Sequence, residues 1–317
     1  MAGLLLALLF TPLRNLWPLV IVVVGALTLT GRMRSGRALL WAGVALAGGL
    51  FSASPWAEFT PRFSRGTPVG EAQTLNLEGI RVLEARSFNG FIKLTVAPGE
   101  PRLEVRRRGQ ANVIMQQSGE TLSIEARRPF LNLSAGADLE LRVPEGLEFR
   151  LETSNGPVQT TGPARSLSAK TSNDPIIVRQ AGQTDLELET SNGLIEVSNV
   201  SGSVKATTSN AGIKLLDATD IRTQLQTSNG PIDLERVSLQ PGTENRLESS
   251  NAPIHVSAIH APAGLMIRGE TSNDPIDAQL PGYAIQLEGS KLEAKREGDN
   301  MTNLGLFTSN APIIIRP

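Results

Sequence analysis

The sequence predicts an all-β protein: a β-solenoid of roughly 18–22-residue coils, preceded by an N-terminal α-helical transmembrane hairpin. Three observations predict it. A Thr/Ser-Ser-Asn triplet recurs eight times, with its Asn at positions 155, 173, 192, 210, 229, 251, 273 and 310. Apolar residues alternate with polar ones on both sides of each triplet. Two long stretches without a charge, Leu16–Thr30 and Ala38–Trp56, lie ahead of all the repeats.

The N-terminal part comes first. A spanning helix needs about 20 apolar residues. The stretch at 38–56 meets that length, and the first reaches it as a span of about 12–30. The loop between them, "GRMRSGR", carries Arg32, Arg34 and Arg37, and an excess of arginine marks a cytoplasmic loop. Residues 1–56 therefore read as a hairpin in the lipid bilayer, with everything after it extracytoplasmic at the cell membrane. Residues 57–71, rich in Pro and Gly, read as a linker.

Charge and aromatic content divide at the same place. Residues 1–66 hold six arginines and one acid, a net of +5, whereas the rest of the chain carries −6. An acidic exported part lacks the basic footprint that nucleic acid requires, which argues against nucleic acid as a partner. The chain has no cysteine, which removes disulfides, thiolate metal sites and thiol nucleophiles. From Leu151 to the end, Tyr283 and Phe307 are the only aromatic residues. Such a segment is stabilised by regular stacking of aliphatic side chains.

Residues 72–150 read as an irregular N-terminal β portion, and 151–317 as the regular repeat. Successive Asn positions are separated by 18, 19, 18, 19, 22, 22 and 37 residues. A period near 20 is the signature of stacked supersecondary units. The last gap reads as two coils, with a degenerate one at "IQLEGSKLEA" that puts Lys291 in the Asn slot. Before each triplet, apolar residues fall two and four places upstream of the Thr, as at Phe149 and Leu151 or Leu186 and Leu188. After it, Val158, Ile176, Ile195, Ile213, Ile232, Ile254, Ile276 and Ile313 resume the apolar row. This period of two is that of a half-buried strand. Each coil is then strand, corner, strand and a polar, Gly-containing return. Carried straight through the corner, the alternation points the Thr and the Asn inward and the Ser outward. Stacked Asn side chains about 4.8 Å apart can bond up and down the stack. The Gly that follows three of the Asn residues suits a left-handed turn. Pro, which cannot donate to a ladder, suits a corner. These eight Asn residues are thus structural corner posts.

Other residues carry charge. Two places after the Pro, an outward column contains Glu196, Lys214, Asp233, His255 and Asp277, with His255 expected between Asp233 and Asp277. Opposite charges on neighbouring strands stabilise a sheet modestly. Asp174 and Asp274 are five corners apart in chain order, about 24 Å, too far to act together on a glycosidic bond. The stretches "VRRRG" (105–109) and "ARRPF" (126–130) read as solvated strand ends. At the C-terminus, "NAPIIIRP" reads as a final edge strand blunted by Arg316 and Pro317. No catalytic residue, metal ligand or cofactor is assigned.

Two resemblances accompany this reading. The stretch "LWPLVIVVVGALTL" is similar to the membrane modules of LiaI/LiaF-type cell-envelope stress proteins. The segments "SFNGFIKLTV", "ADLELRVPEGLEFRLETSNGPV" and the repeated Ser-Asn-Gly-Pro-Ile corners resemble the putative-adhesin β-strand-repeat family of unknown function, found in bacterial envelope proteins. That resemblance covers residues 72–317 and implies a right-handed solenoid. It implies a non-enzymatic protein of adhesion, envelope scaffolding or envelope-stress response, with an envelope glycan or protein as partner. The alternatives are a polysaccharide-acting enzyme on a β-helix and a bactofilin-like polymerising scaffold.

Overall fold

The computed structural model describes residues 67–68, 71–128 and 134–317, all within one compact unit, Gly66–Pro317. The hairpin expected at 1–56 and most of the linker expected at 57–71 lie outside the described residues.

The described residues form an all-β structure of 23 strands. In chain order, the first nine are β1 (Thr67–Pro68), β2 (Ala72–Thr74), β3 (Val82–Arg86), β4 (Ile92–Val96), β5 (Arg102–Arg108), β6 (Asn112–Ser118), β7 (Thr121–Arg127), β8 (Gly136–Val143) and β9 (Glu148–Glu152). The repeats supply β10 (Val158–Thr161), β11 (Ser166–Lys170), β12 (Ile176–Glu189), β13 (Ile195–Thr207), β14 (Ile213–Thr227), β15 (Ile232–Leu239), β16 (Glu244–Ser249), β17 (Ile254–His260), β18 (Gly264–Thr271) and β19 (Ile276–Ala278). Last come β20 (Ala284–Glu288), β21 (Lys291–Arg296), β22 (Met301–Thr308) and β23 (Ile313–Arg316).

Each repeat gives one strand before its triplet and one after, and both pair in parallel with the matching strands of the neighbouring repeats. After the triplet, one column runs Leu139, Ile92, Val158, Ile176, Ile195, Ile213, Ile232, Ile254, Ile313, Ile276, each opposite the next across a ladder. All ten are buried. Like side chains stacked in register are what an aromatic-poor core requires. A one-residue slip would turn the whole column to solvent, so the pattern also fixes the register.

In the long returns the chain bends three times per repeat, and each bend uses two successive outward residues, the third pair being Gly182–Gln183 or Thr219–Asp220. The first bend is the triplet. The second falls four residues after the inward Val or Ile. There Gly162, Gln180, Asn199, Asp217, Arg236 and Ala258 all have positive φ, between 50° and 101°. The next residue turns inward again, as at Ala181, Val200, Ala218 and Val237. One of these six left-handed positions is glycine, and further along the same returns Gly182 and Gly202 also have positive φ, at 64° and 100°, as the Gly-containing return of the sequence reading expects.

Chain order and stacking order differ at both ends. The repeat made by β3 and β4 lies between β7–β8 on one side and β9–β10 on the other. The last repeat, β22 and β23, lies between β16–β17 and β18–β19. The 37-residue gap is therefore not two coils in sequence. Residues 284–296 form an antiparallel hairpin, β20–β21, and β21 caps β18. Lys291 does not take an Asn slot; its Nζ lies 3.5 Å from Glu270. Nor is the C-terminal strand an edge, since Ile313 and Ile315 are buried between two neighbours. The link from β21 to β22 crosses the start of β18 at very close range. A Cβ on Gly298 would meet the Ala263 carbonyl oxygen at 2.5 Å, so only glycine fits there. Buried Asn245 stitches the inserted repeat in place. It accepts from the Thr223 backbone N–H at 2.8 Å and donates to the Asn303 carbonyl at 3.2 Å.

Candidate functional site

The corner is built from three columns. The first residue of the triplet is buried at every copy, from Thr153 to Thr308, with Ser249 in the sixth. Its hydroxyl donates to the carbonyl of the residue after Asn in the adjoining repeat: Thr153 to Gly90 (2.9 Å), Thr171 to Gly156 (3.2 Å), Thr208 to Gly193 (3.2 Å) and Thr227 to Ala211 (2.9 Å). A buried carbonyl at a bend would otherwise be unpaired. Thr271, whose corner ends the column, donates instead within its own turn, to Asp274.

The Asn residues form the ladder, but they face solvent. Asn155, Asn173, Asn192, Asn210, Asn229, Asn251, Asn273 and Asn310 are all exposed. This corrects the inward orientation expected from unbroken alternation. The physical reason is the bend itself: Ser and Asn are its two successive outward residues, and the phase slips by one. The small residue after Asn then turns inward. There glycine serves close approach rather than φ. A Cβ on Gly156 would lie within 2.9 Å of the Phe91 backbone nitrogen and closer still to the Gly90 carbonyl.

Each amide donates to the side-chain oxygen of the Asn in the adjacent repeat. The bonds run 155→89, 192→173, 210→192, 229→210, 251→229, 310→251 and 273→310, at 2.7 to 2.9 Å, with 173→155 at 2.5 Å. Nine Asn residues are joined, and the order 251–310–273 retraces the inserted repeat. The ninth, Asn89, belongs to "SFNGFIKL", where Ser87, Asn89, Gly90 and Ile92 hold the spacing of a triplet. That spacing was the signal for it. Beside the amides runs a column of exposed serines, 172, 191, 209, 228, 250, 272 and 309. Their backbone carbonyls take the Asn N–H of the neighbouring repeat, as in Asn192 to Ser172 (3.0 Å) and Asn210 to Ser191 (2.9 Å). The result is one continuous edge of hydroxyls and amides repeating at the strand spacing of about 4.8 Å. The amide oxygens keep spare acceptor capacity toward solvent, while Asn192, Asn229 and Asn273 spend the second N–H on the Ser172, Ser209 and Ser309 carbonyls at 3.3, 3.3 and 3.5 Å.

The charged column is shorter than expected. Glu196, Lys214, Asp233 and His255 do lie opposite one another in sequence. His255 Nδ1 is 2.8 Å from Asp233 Oδ1. Asp277 is not its other neighbour, because the inserted strand puts Ile314 between them. Asp277 instead pairs with Arg316, whose hydrogen bond holds that carboxyl below its usual range. Glu196 pairs with Arg179 at 3.1 Å. The same insertion puts Asp174 and Asp274 six ladder steps apart rather than five, about 29 Å.

The arginine-rich strand ends are matched by acids. Arg106 reaches Glu140 at 3.4 Å, Arg108 reaches Asp138, and Arg127 reaches Glu125 at 2.7 Å. Arg128 lies over the Phe88 ring, 3.7 Å from its centroid. An open depression lined by Glu71, Glu104, Val105, Arg106 and Arg107 mixes both signs of charge. Neither presents a field of one sign.

No protein-family model and no curated protein matches the chain. Among solved structures, the crystal structure of a "putative cell adhesion protein" from Clostridium sporogenes aligns over 79% of this chain and 99% of that one. The identity is 10% and the TM-score 0.24. At those values the likeness assigns this chain no function.

Proposed function

We propose that residues 72–317 form a right-handed β-solenoid held outside the cell membrane by the 1–56 hairpin, and that it is a non-enzymatic adhesion module. Its binding surface is the Ser/Asn edge, and its partner is a repetitive envelope glycan. The carrying observation is the unbroken run of nine bonded Asn residues flanked by exposed serines. Parallel, in-register pairing on both sides of each corner supports the solenoid. Paired amides are pre-ordered, so a hydroxyl-rich polymer that meets them loses little further side-chain freedom on binding. A periodic row also engages a periodic polymer at many weak points at once.

The test is binding of cell-wall polysaccharides by the full chain in detergent or nanodiscs, with reducing-end release followed in parallel. Ser172→Glu, Ser209→Glu and Ser250→Glu, each two ladder steps from the next, together place three acids on the edge without touching the core or stacking like charges on adjacent strands. Binding is expected to fall at least tenfold while the melting midpoint holds. Unchanged binding would remove the edge as the surface, and released sugar would favour the polysaccharide-acting enzyme. Protease added to intact cells tests the topology: the C-terminal part should be digested without lysis.

A further inference from the structure

The end of the stack beyond β18 carries a free edge unlike the others. Strand β20 is exposed along all five residues and pairs on one side only, with β21. Ile285 and Leu287, 46% and 53% exposed, are the exposed large hydrophobic residues among those described. They share a face with Ala294 and Leu292 across the ladder, which in turn lie opposite Ile267 and Gly269. The apolar inner face of the sheet therefore runs two strands past β18 and stops uncovered. Other edges are blunted. β1 lies over the middle of β6, the free half of β5 carries Arg106, Arg107 and Arg108, and β19 has three residues. β20 has no Pro, Lys or Arg, the usual protections of an edge.

We propose that β20 pairs antiparallel with β20 of a second copy, across a two-fold axis at Gln286. The sequence Ala284-Ile285-Gln286-Leu287-Glu288 is self-complementary in that register. Ile285 falls opposite Leu287, Gln286 opposite itself, and Glu288 opposite Ala284. The single charge of the strand thus never meets its own copy, and the two apolar residues of each strand cover those of the other. The backbone parity agrees. The two-residue turn at Gly289–Ser290 closes on the pair Glu288 and Lys291, so Ile285 and Leu287 direct their backbone groups outward. In the two-fold register they form hydrogen-bonded pairs with each other, and Gln286 sits at a non-hydrogen-bonded pair. Such an isologous contact closes at two copies and does not grow into a filament. A five-residue strand pair is small beside a stable dimer interface of over 1,000 Å² or so, which makes the association weak and cross-linking the suitable readout.

The chain has no cysteine, so single substitutions report position directly. In the membrane-inserted full chain, Gln286→Cys should give a disulfide-linked dimer on mild oxidation, because Cα atoms at such a pair are about 4.5 Å apart. Ala284→Cys alone should not, since its copies lie about 14 Å apart. A mixture of Ala284→Cys and Glu288→Cys chains should link. Adding Ile285→Lys and Leu287→Lys to Gln286→Cys should bring the yield to background with the melting midpoint unchanged. No dimer at Gln286→Cys, or equal yields at all three positions, would overturn the proposal. Dimers made by the N-terminal segments alone would not show this position dependence.

Discussion

Deleting residues 301–317 should unfold far more than the deleted segment. In a stack that followed chain order, the last repeat would be the end, and its loss would only fray what came before. Here β22 and β23 fill the slot between β16–β17 and β18–β19. Their removal deletes four side chains that are at most 1% exposed, Leu304, Leu306, Ile313 and Ile315. At about 2 kcal/mol each, that is about 8 kcal/mol of apolar burial. A domain's whole stability is about 5–15 kcal/mol. The partners left behind also lose ladder bonds on one face, and Asn245 loses the Asn303 carbonyl. Residues 264–296 then have no parallel neighbour to hold them to the stack. Hydrogen exchange on the chain ending at Asn300 should show protection lost across β17–β21 and retained across β12–β14. Protection of β18 equal to that in the full chain would refute the inserted order.

The remaining predictions concern single positions. Thr208→Val should cost more than Asn210→Ala, about 1–3 against about 1 kcal/mol, because the first leaves a buried carbonyl unpaired and the second leaves groups that water can reach. Denaturant midpoints of the two variants check the order. Ala258→Gly should stabilise by about 1 kcal/mol, since Ala258 is exposed and sits at φ 50°; the melting midpoint should rise by about 2–4 °C. Hydrogen bonds from Arg236 and Arg316 hold the pKa values of Asp217 and Asp277 below the ordinary 3.8. Their contribution is therefore fully present above that value and is lost as pH falls through the lowered ones. The double variant Asp217→Asn, Asp277→Asn should be less stable than the native chain at pH 7, and the gap should narrow toward pH 2 in urea titrations.

Strand content, register and the stacked apolar column were legible because they are local: the period of two and the recurring Ile at one offset determine them. The Asn ladder was legible as a ladder and misplaced as to side. Alternation says nothing of what a bend does to phase, and each bend here spends two outward residues, Ser and Asn at the triplet, then Arg179 and Gln180, then Gly182 and Gln183, in the return. Once that rule is known, the exposed serine column follows from the same letters. Stacking order was not legible. Spacing counts residues along the chain, whereas the insertion of β22–β23 depends on a crossing made by Gly298 against the start of β18. The misassignments of Asp277, Lys291 and the C-terminal edge all descend from that one crossing.

The most direct test of the continuous Ser/Asn edge is a set of paired cysteines on its serine column in the cysteine-free chain. Ser250→Cys with Ser309→Cys, and Ser272→Cys with Ser309→Cys, should each close a disulfide, since ladder neighbours are about 4.8 Å apart. Ser250→Cys with Ser272→Cys should not, being two steps apart at about 10 Å. A disulfide between 250 and 272 with none to 309 would contradict the account.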